Sequence, residues 1–169
     1  MKVSTLVTRL GMVTLGTFAG ITVADDSKPP SLSDELVERG QEIYQESCAS
    51  CHGANGEGAA NWQERNSLGE LPAPPHDEDG HTWKHSDALL YRMVRDGWRH
   101  PFNETDRLTM PSFEAVLSPQ EIRAVIMYLK TLWTPEQRQF QWEETQEQGG
   151  FPASAYPEDS AESTRSKGQ

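Results

Sequence analysis

The stretch SCASCHGANGEG, residues 47–58, contains the only two cysteines of this 169-residue chain. Cys48 and Cys51 lie three positions apart, His52 follows at once, and glycines come next. On a helical turn, residues i, i+3 and i+4 share a face. Two thiols and an imidazole therefore project together, and whatever they serve dictates how the rest of the chain must fold.

Three of the possible chemistries fit poorly. A thioredoxin-type dithiol belongs in a βαβ pattern, and no strand pattern surrounds this one. A structural zinc site takes four ligands, whereas Cys48, Cys51 and His52 supply three and no other cysteine exists. A disulfide between residues three apart in a helical turn is strained. The motif C-x-x-C-H is, however, the sequence signature of c-type haem attachment. Each thiol adds across one vinyl group to give a thioether, and His52 aims its imidazole at the iron from the same side. The glycines that follow let the chain turn away over the porphyrin. One covalent haem c, held through Cys48 and Cys51, is the expected cofactor.

The N-terminus agrees with such a cofactor. Lys2 and Arg9 precede an uncharged run from Leu10 to Ala24, with Thr22 and Ala24 placed as small residues before Asp25. This is the layout of an export signal spanning residues 1–24, cleaved near Ala24; a retained anchor is the alternative. The expected location is the periplasm, as a soluble protein. Losing Lys2 and Arg9 would take the formal charge from −11 to −13. So acidic a chain excludes nucleic-acid binding through a general basic field. Asp77, Glu78 and Asp79, and a helix face carrying Glu35, Glu38, Glu42 and Glu46, form acidic patches that either steer a basic partner or are simply solvated.

Residues 25–33 read as a proline-bearing linker. Ser33 caps a helix with Leu36, Val37, Gly40, Ile43 and Tyr44 at helical spacing, running into Cys48–His52 and ended by Gly53. Residues 53–80 lack periodicity, and so long a connection is unusual unless it wraps something. Ser86 caps a second helix with Leu89, Leu90, Met93 and Val94 inward, stopped at Gly97. Ser118 and Glu121 form a capping box around Pro119 at the head of a third, whose apolar face is Ile122, Val125, Ile126, Leu129 and Leu132. Residues 135–169 read as a polar extension, helical at first and then of disordered composition. The expectation is an all-α fold, with three to four short helices and long loops in residues 34–134. The haem supplies hydrophobic volume that the chain lacks.

His52 leaves one iron position open. Met93 and Met127 lie on apolar helix faces, where methionine is usually core filler. His76, His81, His85 and His100 sit in or beside loops, where a locally bonded histidine is the default. Met110 stands apart in RLTMPSF: Pro111 biases it towards extended backbone, and a stiff extended loop can lay a thioether across a haem face. Met110 is therefore the expected sixth ligand, with His52 the fifth.

The sequence ERGQEIYQESCASCHG, followed by LTMPSF and by LSPQEIRAVIMYLKTLW, resembles class I monohaem cytochromes c over residues 33–134. The resemblance implies the cytochrome c fold around one covalently attached haem. It also implies that Gly40 and Tyr44 cross the last helix near Val125 and Tyr128. A proline carbonyl, from Pro72, Pro74 or Pro75, takes the N–H of the proximal histidine. The loop from Gly53 to Trp83 is longer than in the smallest members, which leaves Trp62, Trp83 and Arg65 all open as propionate contacts.

Six-coordinate iron has no vacancy for substrate, so the reading is a non-enzymatic carrier that shuttles single electrons between a donor and an acceptor protein. Two rivals stand beside it. One is the haem subunit of a larger periplasmic oxidoreductase, docked through residues 134–150. The other is a gas sensor or small haem enzyme with a labile sixth ligand.

Overall fold

A computed structural model describes residues 28–157. The expected signal segment 1–24 and the last residues of the extension, 158–169, lie outside them. Among the described residues the secondary structure is helical, with no strand: α1 Asp34–Ser47, α2 Ala49–His52, α3 Asp87–Asp96, α4 Pro119–Leu129 and α5 Pro135–Gln148. Short 3-10 turns occur at Thr82–Lys84, Lys130–Leu132 and Ala153–Ala155. Among the described residues no helix is long and apolar enough to cross a membrane.

The helix starts are where the caps place them. Ser33 accepts from Leu36 N, Ser86 from Leu89 N and Ser118 from Glu121 N. The Ser118–Glu121 pair closes a reciprocal capping box with Pro119 in the first turn, satisfying donors that a helix end otherwise leaves orphaned. The first helix does not run straight into His52. Cys48 breaks it at φ −116° and ψ −37°, and a four-residue turn starts anew at Ala49. Both the Cys51 and His52 amides close on the Cys48 carbonyl, at 3.1 and 3.0 Å.

The core is the crossing of α1 on α4. Ile43, Tyr44, Ile122, Val125 and Ile126 are all 2% exposed or less, and each such aliphatic side chain stabilises the fold by ~1.5–3 kcal/mol. Gly40 sets how close the two helices come. A Cβ there would lie 2.0 Å from the Ala124 carbonyl oxygen, so the contact is backbone against backbone. Tyr44 packs its ring 5.2 Å from that of Tyr128, in the crossing that the resemblance implies.

The extension joins this body. Thr134 and Gln137 form a second capping box at the start of α5. Gln141 is 1% exposed and donates to Asp87 Oδ1 at 2.8 Å, while Thr145 accepts the Asp87 amide at 3.0 Å. The Lys130 ammonium meets Asp87 at 2.7 Å. Residues 151–156, whose composition suggests a tail, fold back instead. Ala155 is fully buried, and the Arg123 guanidinium lies 4.4 Å from the Tyr156 ring centre.

Candidate functional site

Cys48 and Cys51 are unpaired thiols, the first half-buried and the second exposed. Burial, with Cys51 beside it, pushes the Cys48 thiol up to about 11, the opposite direction from the lowered thiol of a redox dithiol. Among the described residues no group of three or more His, Cys, Asp or Glu is arranged to hold a metal ion. The zinc reading therefore has no ligand set.

His52 is 7% exposed, with Nδ1 2.9 Å from the Pro74 carbonyl oxygen. A carbonyl only accepts, so Nδ1 carries the proton and Nε2 keeps the lone pair that a metal requires. Of the three prolines the sequence left open, Pro74 makes this contact. Its position follows from the loop. Ala59 N donates to Ala73 O at 2.9 Å and Gly58 N to His52 O at 2.7 Å. Gly58, at φ +76°, lets the strand of chain bearing Pro74 and Pro75 pass where a Cβ would stand 2.5 Å from Pro75 N. Burial holds the His52 imidazole below its usual range, with the Pro74 bond partly opposing. Tyr44 locks the turn from below by donating its hydroxyl to Gly53 O at 2.9 Å.

A second imidazole lies against the first. The His76 ring stacks on that of His52 with centroids 3.9 Å apart and planes 23° apart. Its Nδ1 is 2.8 Å from the buried Thr82 hydroxyl, and burial pushes it well below the ordinary imidazole range.

Met110 is extended and half-buried, packed against the core. It forms an isolated antiparallel bridge with Trp98: Trp98 N donates to Met110 O at 2.9 Å and Met110 N to Trp98 O at 3.0 Å. Beyond Pro111, the Ser112 hydroxyl donates to Arg95 O at 2.6 Å and Phe113 N to Val94 O at 3.1 Å, tying the segment to the end of α3. Met93 and Met127 both lie on helices rather than in a loop. Met93 packs against the core, and Met127 lines a surface groove with Leu36, Arg123 and Trp142.

The remaining candidates make other contacts. His81 stacks on Trp62 at 6.1 Å and meets His85 edge-on at 5.5 Å; His100 Nδ1 accepts the Phe102 amide. Arg65 donates to Phe102 O at 3.1 and 2.9 Å, and the Trp83 indole to Gly80 O at 3.1 Å.

One group was not legible beforehand. Glu70 is 2% exposed and accepts from Thr105 at 2.6 Å and from Arg107 Nε at 3.0 Å. The Arg107 guanidinium, helped by Thr105, holds its carboxyl down at about 2. Asn103, 4% exposed, accepts the Leu71 amide at 2.9 Å. These bonds clasp the loop after His52 to the loop before Met110. Nothing periodic announces them, since the partners are over thirty residues apart and each lies in irregular chain.

Two unpaired thiols at helical spacing and an imidazole with its proton pinned away from Nε2 fit a covalently held haem. The cytochrome c family model matches residues 37–133, more than half of the chain. Two relatives are Cbb3-type cytochrome c oxidase subunits FixP. That of Sinorhizobium medicae is 25% identical over 104 residues, 61% of this chain and 32% of the relative. That of Azorhizobium caulinodans is 26% identical over 114 residues, 68% and 35% respectively. A third is the dehydrogenase subunit of the alcohol dehydrogenase (quinone) of Acetobacter aceti, 31% identical over 103 residues, 60% of this chain and 11% of that protein. The chain thus spans about a third of the FixP relatives and about a tenth of the dehydrogenase subunit. No solved structure matches it significantly. The chain belongs to the cytochrome c family: an all-α, electron-transferring protein that carries haem c.

Proposed function

We propose that this chain is an exported, single-haem electron carrier working between two redox proteins in the periplasm. Cys48 and Cys51 hold the haem by thioethers, and His52 Nε2 and the Met110 sulfur ligate its iron. When bound, the haem accepts and releases one electron. The carrying observation is the bond from His52 Nδ1 to Pro74 O at 2.9 Å. It fixes the tautomer that would ligate, on the same turn as two unpaired thiols.

The protein's own contribution is rigidity. Pro74 and Tyr44 hold the His52 turn, and the Trp98 bridge holds Met110 in extended backbone. Two protein ligands would leave the iron no open position for substrate, which supports a carrier rather than an enzyme. One thioether and one imidazole as ligands would favour a higher potential than two imidazoles.

The test is spectroscopy of the haem-loaded protein. Met110→Ala is expected to abolish a sulfur-to-iron charge-transfer band and to admit carbon monoxide to the reduced iron. A band that survives the substitution means another residue is the ligand. Carbon monoxide binding by the unsubstituted protein at neutral pH would favour a sensor instead.

A second reading is a haem subunit of a larger oxidoreductase, which the names of the three relatives favour. The exposed Phe140 on α5, 41% accessible, is where a partner would sit in that case. Elution of the native protein alone, at its own mass, supports the free carrier; co-elution with a dehydrogenase or oxidase supports the subunit.

A further inference from the structure

We propose that His76 is a positioning residue for the iron-binding imidazole: its ring lies flat on His52 and, anchored by Thr82, fixes the plane in which His52 is presented. This rests on His52 being the iron ligand.

The Pro74 bond restrains one corner of the His52 ring and leaves it free to tilt about the Nδ1–oxygen line. The His76 ring blocks that tilt from one side. Its centroid is 3.9 Å away, nearer than the ~4.5–7 Å common between aromatic rings, so a movement of either ring is felt by the other. His76 is itself unable to retreat. Its amide donates to Gly56 O at 2.7 Å, its carbonyl accepts the Trp133 indole N–H at 2.8 Å, and its Nδ1 meets Thr82. Thr82 is 5% exposed and also reaches Pro75 O at 3.4 Å. Thus one hydroxyl couples His76 to the proline segment that supplies the His52 acceptor.

A leucine would fill the same space without any desolvation cost. What an imidazole with a buried hydroxyl partner adds is a defined ring plane. Outer partners of a ligating histidine fix its orientation and tune the metal.

The haem-loaded full chain provides the test, with His76→Ala, Thr82→Val and His76→Phe. The readouts are the hyperfine-shifted haem methyl resonances of the oxidised protein and its oxidised-to-reduced ratio against a fixed mediator. His76→Ala should rearrange the methyl pattern and shift the ratio ~3-fold, less than the ~10–100-fold effects on affinity or activity typical of losing an outer partner. His76→Phe, which keeps a flat ring, should restore the methyl order. Thr82→Val, nearly isosteric, should broaden the pattern and decides the matter if His76→Ala fails to fold. A methyl pattern and ratio unchanged in Thr82→Val and in any folded His76→Ala, with the sulfur–iron band intact, overturns the assignment alone. An unsubstituted protein lacking a low-spin haem spectrum would overturn it together with the ligation reading.

Discussion

The surroundings of His52 and those of Met110 are held by different means. Around His52 the restraints run directly into the core: Tyr44, fully buried, grips Gly53, and Trp133, 5% exposed, grips His76. Around Met110 two bonds reach the end of α3, at Arg95 and Val94, but the other restraints are polar bonds between loops, through Glu70, Asn103 and Arg99. Two of the donors reach water, Arg107 at 63% exposed and Arg99 at 35%. A segment tied to the core opens only when the whole fold opens, whereas one held loop to loop opens at lower free energy. The Met110 side should therefore yield first and reversibly, with the His52 side following the helices.

The largest effect expected is on the His52 side. Gly40→Ala puts a methyl 2.0 Å from the Ala124 carbonyl oxygen. Because the obstacle is backbone, the cost should exceed ~4 kcal/mol, the exceptional end for point substitutions. Thermal unfolding followed by circular dichroism should show helices and sulfur–iron band lost together; a Tm near that of the unsubstituted protein would break the comparison.

Acid tests the other side. The Glu70 carboxyl titrates at about 2 in the folded protein, against ~4.3 for an ordinary glutamate in an unfolded chain. A lowered folded value means the contribution to stability is complete above the ordinary value and drains away as pH falls towards the folded one. The sulfur–iron band should persist well below pH ~4 and fade as Glu70 protonates, ahead of the helix signal. Glu70→Gln should lose that acid step and show a weaker band throughout. Loss of the band at mildly acidic pH in the unsubstituted protein would contradict this.

Asn103→Ala leaves the Leu71 amide without its acceptor, a cost of ~1–3 kcal/mol for a buried donor. The denaturant midpoint of the sulfur–iron band should drop further than that of the helices, and equal drops would refute the local opening. The smallest effect is Trp133→Phe, which removes one indole bond to His76 O for ~1 kcal/mol. Both midpoints should move by the same amount.

The two sides were also unequally legible. Ser33, Ser86 and the Ser118–Glu121 box announce helix starts because capping is local chemistry, read within four residues. The apolar spacing of α4 marks its buried face for the same reason, whereas the crossing at Gly40 and Tyr44 came only from the resemblance to cytochromes c. For Pro74 the sequence offered three neighbours, and only the packing of Gly58 against Pro75 selects one. Glu70 looked like any loop carboxylate, since burial came from Arg107 and Thr105, 37 and 35 residues away. In α5 the buried positions are Gln141 and Thr145. A helix that packs through amide and hydroxyl groups shows no apolar stripe, so periodicity could not reveal that it packs at all. Cys48 carried no sign that it would break the helix.

The clasp at Asp87 bears on anyone who would trim this chain to the segment shared with its relatives. Stopping at Trp133, where the family match ends, would strip Gln141 from the carboxylate and Thr145 from the amide. A charge pair shielded by α5 would then face solvent at a raw edge, along with the Ala88 amide that Gly149 now caps. The shortest recognisable unit and the smallest self-sufficient one are thus different lengths of the same polypeptide.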